Sequence, residues 1–151
     1  MRLADIKPQF CLVMGGAGSG KNYFIENHPT LSRYTLIDID AIKSEMGLEL
    51  ALKSVKPAMI SAFSEQKDVA HPTTGSHLAG QQNKIKLARQ YGYAVTLILI
   101  DTPVEQAIAQ VRQRRRNGGH DVSLEKIVES NKKARENFNL LKPLVDVAKI
   151  I

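Results

Sequence analysis

The sequence predicts an α/β protein: a three-layer α/β/α sandwich around a mainly parallel five-stranded sheet, forming a single domain over residues 1–151. Segments typical of strands and of helices alternate along the chain, which is the order that produces a parallel sheet. Residues 93–100, "YAVTLILI", are apolar on both faces, as expected of a strand covered by helices on both sides. The length suits one hydrophobic core.

The first half predicts three strands in order. Residues 9–14 form a short apolar run, and the glycines and "KNYFIENH" that follow predict a tight loop and a helix ending at Pro29. "YTLIDID" predicts a second strand over 34–39. Residues 41–66 predict one or two helices interrupted near Pro57. "KDVAH" is a weaker third strand, followed by a helix over 76–90.

The second half continues the alternation after the strand at 93–100. A helix is expected from Pro103, and its apolar stripe ends at Val111. Because "VRQRRRNGGH" lies beyond that stripe, we expect it to project as a mobile arginine-rich lid. Another helix should begin at Ser123 as N-cap, and "LVDVAKII" predicts the fifth strand.

Composition and charge limit the possible function. The chain carries a net charge of +6, and all of it comes from residues 84–151, with 13 basic against 7 acidic residues. Such an excess attracts polyanions, although a solvated basic face accounts equally well for charge alone. No apolar run is long enough to span a bilayer and no signal sequence is apparent, so a cytoplasmic protein without a membrane partner is expected. The single cysteine, Cys11, is expected in a buried strand, and the four histidines lack metal-ligand spacing.

Residues 15–22 match a phosphate-binding loop, G-x-x-x-x-G-K, between a strand and a helix. In this pattern backbone N–H groups point at phosphate oxygens and Lys21 reaches the β- and γ-phosphates. The residues expected to bind the nucleotide are Gly15, Gly16, Ala17, Gly18, Ser19, Gly20, Lys21 and Asn22. The sequence therefore predicts binding of ATP or GTP.

Asn22 stands where the loop pattern has a serine or threonine that binds Mg²⁺. Its carboxamide also offers a neutral oxygen, from a longer side chain, so we expect the metal site to be altered and not abolished. The alternative is that water takes the place of the hydroxyl.

Asp38 and Asp40 lie two residues apart at the end of the predicted second strand, so both should face the ligand edge of the sheet. One carboxylate can deprotonate an attacking hydroxyl while the other helps to hold Mg²⁺. The alternative is that Asp40 only caps a helix. Asp101 follows the apolar fourth strand as a Walker B acid does, but we favour a turn in which Asp101 or Thr102 caps the next helix.

The arginine stretch offers a second set of candidate groups. Arg112 and Arg116 are one helical turn apart and share a face, which suits clamping a transferring phosphoryl group, with "NGG" as a hinge. The alternative is a solvated basic helix end that favours the helix dipole.

These residues together resemble the small P-loop kinases related to zeta toxins and phage polynucleotide kinase. The resemblance rests on "GGAGSGK", "LIDIDAIK", "GY" before "AVTLILIDTP", and "VRQRRRNGGHDVS" with the following helix. It implies Mg²⁺-dependent transfer of the γ-phosphate of ATP or GTP to a hydroxyl. It also implies that Lys21 is the loop lysine, that Asp40 is the catalytic acid, and that Arg112 and Arg116 are lid arginines. Arg115 is a less certain match to a lid arginine.

The sequence departs from the family pattern at Asn22 and at "AHPTTG", where relatives often have an acid before Thr-Gly. His71 lies near the missing acid, and Thr73 and Thr74 are available to contact substrate. The chain is also shorter than typical toxins, which disfavours a nucleotide sugar as acceptor.

The leading hypothesis is therefore a kinase acting on a nucleic-acid hydroxyl. The acceptor is either the 5′-hydroxyl of a strand end or the hydroxymethyl group of a modified base in DNA. The second requires base flipping, with Tyr23, Phe24, Tyr34 and Phe63 as candidate stacking residues. The alternatives are a kinase of a small nucleotide or nucleotide sugar, and a nucleotide-binding regulator without turnover.

Overall fold

A computed structural model describes residues 6–39, 47–118 and 122–151. Its elements follow the predicted alternation. The strands are β1 (Gln9–Met14), β2 (Thr35–Leu36), β3 (Val69–Thr73), β4 (Ala94–Leu99) and β5 (Val147–Ile150). The helices are α1 (Lys21–Asn27), α2 (Leu48–Ser64), α3 (Leu78–Gln90), α4 (Val104–Arg116) and α5 (Leu124–Leu141). Two short 3₁₀ helices, Leu31–Arg33 and Lys142–Leu144, connect them.

The five strands form one sheet in the order β2-β3-β1-β4-β5, and every strand pairing is parallel. Parallel neighbours require crossover connections, which α1 to α5 supply. The glycine loop follows β1, the central strand, so it lies at the carboxyl edge of the sheet where ligands of open α/β sheets bind.

Hydrophobic clusters cover both faces of the sheet, because successive side chains of a strand point to opposite sides. Phe10, Leu12 and Met14 of β1 face a large core that includes residues of α2, α3 and α5. Cys11 and Val13 face a second cluster that includes Ile25 of α1. The three-layer sandwich and the parallel five-stranded sheet predicted from the sequence are confirmed.

Two predicted elements differ from the structure. The second strand was expected over 34–39, yet β2 comprises only Thr35–Leu36, and Asp38 instead accepts a hydrogen bond from Asn22 in α1. The helix expected to break near Pro57 runs through it without interruption from Leu48 to Ser64. The buried side chains of Met59 and Phe63 pack on the core, which offsets the backbone hydrogen bond lost at the proline.

The helix boundaries in the second half are close to expectation. Ser123 is the N-cap of α5, and its hydroxyl accepts from the backbone N–H of Lys126 at 3.3 Å. Val111 is the last buried residue of α4, but the helix itself continues to Arg116. The arginines therefore belong to a regular helical end, and their movement as a lid stays a prediction. Among the described residues, no helix is long and apolar enough to cross a bilayer.

Candidate nucleotide and acceptor sites

The glycine loop connects β1 to α1 and is fixed in place by the two helices of the second half. Gly18 has a φ of 75°, and a Cβ there would overlap the carbonyl oxygen of Ala107 in α4. At Gly16 a Cβ would overlap Asn131 of α5. Glycine is thus required at these positions for close approach of the helices as well as for backbone conformation.

Three polar side chains outside the motif hold the loop. Ser130 Oγ accepts from the N–H of Ala17 at 2.9 Å, and Asn131 Nδ2 donates to the Ala17 carbonyl at 3.1 Å. Thr102 Oγ1 donates to the carbonyl of Ser19 at 2.8 Å. Since Thr102 binds the loop and Asp101 binds Arg135 at 2.6 Å, neither caps α4, whose N-cap is Pro103. The expectation that one of them caps this helix was wrong.

Sequence reasoning missed Ser130 and Asn131. Asn131 lies on the buried stripe of α5, between Ile127 and Ala134, and is only 3% exposed. A polar residue in an otherwise apolar stripe is the signal that could have identified it, because buried polar groups are normally hydrogen-bonded to something specific.

Lys21 and Asn22 begin α1 directly after the loop. Lys21 Nζ donates to the carbonyls of Gly15 and Gly16 at 2.8 and 3.3 Å. Asn22 Nδ2 donates to Asp38 Oδ2 at 3.0 Å, and Asp38 is only 8% exposed. The structure therefore brings the two predicted metal-binding residues, Asn22 and Asp38, together beside the loop lysine.

The Asn22–Asp38 pair suits Mg²⁺ in its chemistry. Carboxylate and amide oxygens are the ligands this ion prefers, and it commonly uses one or two protein ligands together with phosphate oxygens and water. Because the NH₂ group of Asn22 faces Asp38, its carbonyl oxygen points away from the carboxylate. No cluster of three or more His, Cys, Asp or Glu side chains able to hold a metal occurs among residues 6–39, 47–118 and 122–151.

Two cavities flank the start of α1. The apolar cavity, about 740 Å³, has walls that include Ser19, Tyr23, Phe24, Ile100 and Ile151. The polar cavity, about 790 Å³, begins at Lys21 and Asn22 and extends along β3 and α3. Other residues of its wall used below are Asp38, Lys56, His71, Thr73, Thr74, Gln81, Lys84, Lys86 and Arg114.

The arginines of α4 differ in their relation to these cavities. Arg114 lines both, whereas Arg112 and Arg116 line neither. A helix turns about 100° per residue, so residues two apart face nearly opposite directions. Arg112 and Arg116 share one exposed face, as expected from their spacing, but in this structure it is not the face that meets the cavities.

The other predicted positions are distributed as follows. Thr73 and Thr74 line the polar cavity, as does His71 beside the position of the missing acid. Asp40, the predicted catalytic base, lies outside the described residues. Phe63, one of four candidate stacking residues, is fully buried in the core. Cys11 is buried, and burial raises the pKa of its thiol to about 12, which fits the expected inert strand residue.

His71 and Lys84 are the strongly perturbed titratable groups of the polar cavity. The pKa of His71 is lowered to about 3, mainly by burial and also by the charge of Lys84, while a hydrogen bond with the Ile37 carbonyl opposes both. Burial also lowers the pKa of Lys84 to about 8. Perturbed groups of this kind in one cavity are typical of functional sites.

Comparison with known proteins identifies the family and the fold of the chain. A family model described as an AAA domain matches residues 10–137. Comparison with curated proteins found no match. Among solved structures, a chain of the Pnkp1/Rnl/Hen1 RNA repair complex superimposes with a TM-score of 0.73 and 19% identity, over 89% of this chain and 46% of that one.

Two further structures are similar. A chain of the PezAT toxin-antitoxin system of Streptococcus pneumoniae gives a TM-score of 0.72 at 16% identity, over 95% of this chain and 68% of that one. AvrRxo1-ORF1:-ORF2 with ATP gives 0.74 at 16% identity, over 93% and 51%. This chain thus spans about half the length of two of these three structures. It belongs to the AAA domain family and has the fold of the small P-loop kinases.

Proposed function

We propose that this protein is an ATP- or GTP-dependent kinase that transfers the γ-phosphate to a hydroxyl of a nucleic acid. The observation that carries the proposal is the polar cavity, which opens directly from Lys21 and Asn22 at the end of the phosphate loop. Four lysines and Arg114 line it, against one carboxylate of the described residues, Asp38. Such a wall attracts a polyanionic acceptor to the place where the γ-phosphate ends.

The proposed roles are given in order from the phosphate loop to the acceptor. The loop amides and Lys21 hold the β- and γ-phosphates, and Asn22 and Asp38 would hold Mg²⁺, which would neutralise charge on the phosphates. Asp40 accepts the proton of the acceptor hydroxyl as its oxygen forms a bond to the γ-phosphorus and the nucleoside diphosphate leaves. Arg112 and Arg116 reach the transferring group only after the end of α4 moves, whereas Arg114 lines both cavities without such a movement.

Of the two nucleic-acid acceptors, the cavity favours the 5′-hydroxyl of a strand end. Stacking of a flipped base needs an aromatic wall. None of the four candidate aromatic residues lines the polar cavity: Tyr23 and Phe24 line the apolar cavity, and Phe63 and Tyr34 pack in the two cores. The apolar cavity beside Ser19 and Gly20 is better suited to the base of ATP or GTP, because nucleobases bind to apolar and aromatic surfaces.

Phosphate transfer from γ-labelled ATP and GTP tests the proposal. The acceptor panel contains 5′-hydroxyl oligonucleotides, DNA with hydroxymethyl bases, nucleosides, nucleotides and nucleotide sugars. We expect label in the 5′-hydroxyl oligonucleotides. Label only in small molecules would contradict the nucleic-acid acceptor, and absence of transfer to every acceptor despite nucleotide binding would indicate a regulator.

The base is tested by Asp40→Asn. We expect loss of transfer by at least about a hundredfold with unchanged nucleotide affinity, because a positioned base contributes two to four orders of magnitude in rate. Glu65→Gln is the matched control, since this exposed carboxylate pairs with Lys67 and lines neither cavity. Full transfer by Asp40→Asn would overturn the assignment.

A further inference from the structure

The wall of the polar cavity includes a histidine with a ring nitrogen to which none of the described residues donates a hydrogen bond. His71 is 1% exposed and lies in β3 next to Leu12 of the central strand. Its Nδ1 is 2.5 Å from the carbonyl oxygen of Ile37. A carbonyl can only accept, so Nδ1 carries the proton and donates, which leaves Nε2 of the neutral ring as a bare acceptor.

No described residue donates to this Nε2, although it is buried. An unsatisfied buried acceptor is energetically costly, so native proteins rarely keep one without a reason. His71 belongs to the wall of the polar cavity. A donor in that cavity that reaches Nε2 gains a hydrogen bond that the described residues do not supply.

Lys84 brings an uncompensated positive charge to the same place. It projects from α3 into the polar cavity and donates to Gln81 Oε1 at 3.3 Å. Among the described residues no carboxylate lies within salt-bridge distance of its Nζ. Its charge is close enough to act on the imidazole of His71. A partly desolvated ammonium without a counter-ion favours an anionic ligand.

A network holds Lys84 in this position. Gln81 is 3% exposed, accepts from Lys84, and donates from Nε2 toward Thr73 Oγ1 at 3.4 Å and the His77 carbonyl at 3.4 Å. Thr73 Oγ1 in turn accepts from the N–H of Gly75 at 3.3 Å. The ammonium is thus oriented by a buried amide and is not a freely rotating surface lysine.

From these contacts we infer that His71 and Lys84 form an acceptor-recognition subsite: Nε2 accepts a hydrogen bond from a hydroxyl or N–H of the acceptor, and Nζ binds a phosphate group of the same molecule. The inference rests on the proposed function, because it assigns the polar cavity to the acceptor. It adds the chemical class that this cavity selects, a phosphate ester that also carries a hydrogen-bond donor. The phosphate is either that of a free mononucleotide or a phosphodiester within a strand.

The imidazole itself provides a readout that does not depend on catalysis. In the full chain labelled with ¹⁵N, long-range ¹H–¹⁵N spectra distinguish the protonated Nδ1 of His71 from the bare Nε2. We expect the Nε2 resonance to move upfield when a nucleoside 3′-monophosphate or a 5′-hydroxyl oligonucleotide is added, while Nδ1 stays protonated. If neither probe moves the Nε2 resonance at saturation, the inference is overturned. That result is expected of a nitrogen already bound to a buried water.

Lys84→Met tests the phosphate half. The variant keeps the length of the side chain and removes the charge. We expect its Kd for both phosphate probes to rise about tenfold, with the Kd for ATP and for an uncharged nucleoside unchanged. Lys133→Met is the matched control, since it removes the same charge from an exposed position of α5 that lines neither cavity. Equal affinity of Lys84→Met and the wild-type protein for both probes would contradict the subsite.

His71→Phe tests the acceptor half, because it keeps a planar buried ring and removes the lone pair. We expect weaker binding of both probes with unchanged ATP affinity, and unchanged binding would contradict the role of Nε2. If this variant does not fold, the imidazole spectra and Lys84→Met still decide.

The probes also separate the two sources and the two proposals. Tight binding of the mononucleotide identifies a free phosphate ester as sufficient, and binding of the oligonucleotide alone identifies a strand phosphodiester. Probe binding that depends on Lys84, without phosphate transfer, would remove the proposed kinase activity and keep the subsite. Phosphate transfer that is unchanged in Lys84→Met and His71→Phe would keep the proposed kinase activity and remove the subsite.

Discussion

Asn22 donates a hydrogen bond from Nδ2 to Asp38 Oδ2 at 3.0 Å, linking the first turn of α1 to the segment that leaves β2. This bond shows what the carboxamide contacts at the position where the loop pattern has a hydroxyl. The NH₂ group orients the carboxylate, and the amide oxygen on the opposite branch is left for other ligands. The substitution therefore couples two candidate metal-binding residues that a serine is too short to connect in the same way.

We predict that Asn22→Ala weakens binding of Mg²⁺-ATP about tenfold and changes binding of metal-free ATP much less, because the variant loses a hydrogen bond to a charged group at the metal side. Titration calorimetry with Mg²⁺ and with EDTA measures both. Glu26→Ala is the control on the same helix, since this exposed side chain lines neither cavity. Equal losses with and without Mg²⁺ would contradict the metal role.

Gly18→Ala should destabilise the protein by more than about 3 kcal/mol, since it combines an unfavourable positive φ with overlap against the Ala107 carbonyl. Gly92→Ala isolates the first effect, because Gly92 also has a positive φ but no atom lies within 4 Å of its added Cβ. That variant should lose only about 1–2 kcal/mol. Urea unfolding measures both, and equal losses would show that packing against α4 is unimportant.

Asn131→Ala should lower nucleotide affinity although the side chain lies behind the loop. The variant loses the hydrogen bond to the Ala17 carbonyl and leaves the loop less well held, so we expect about a tenfold rise in the Kd for ATP. Asn137→Ala is the control, since this buried asparagine of the same helix donates to Gly75 and not to the phosphate loop. Both variants should lose about 1–3 kcal/mol of unfolding free energy, but only the first should bind ATP more weakly.

Arg114→Ala should reduce phosphate transfer more than Arg112→Ala, because Arg114 is the arginine of α4 that lines both cavities. Losing one cation beside the transferring group is expected to lower kcat/KM about tenfold or more. Steady-state kinetics with ATP and a 5′-hydroxyl oligonucleotide measure the effect. A larger loss for Arg112→Ala and Arg116→Ala would instead show that the end of α4 rotates or moves during the reaction, as a lid would.

His71 should make the stability of the protein depend on pH. Its pKa is lowered from 6.5 to about 3, mainly by burial. The imidazole is therefore protonated below about pH 6.5 in the unfolded chain, but only below about pH 3 in the folded chain. The unfolding free energy therefore falls as the pH falls through this range, by about 2 kcal/mol between pH 7 and pH 5 from this residue. Urea unfolding of the wild-type protein and His71→Phe at both pH values isolates the effect, and equal pH dependence in the two proteins would contradict it.

The fold class, the phosphate loop and the end of the apolar stripe of α4 were all predictable from the amino-acid sequence. These features are local: the alternation of strand and helix patterns, the glycines followed by Lys21, and the apolar stripe of α4 that ends at Val111 can each be read within a short window. The course of the chain through Pro57 was misjudged because packing of Met59 and Phe63 on the core outweighs a local propensity.

Which distant residues contact one another became apparent from the three-dimensional arrangement. Asn131 holds the loop from 114 positions away, and the charge of Lys84 in α3 acts on the imidazole of His71 in β3. It also showed that Arg114, and not the predicted pair on the opposite face of α4, meets the cavities. Contacts of this kind depend on how helices pack across a sheet, which no local pattern encodes, because the same amphipathic helix can present its polar positions to solvent, to a loop or to a ligand.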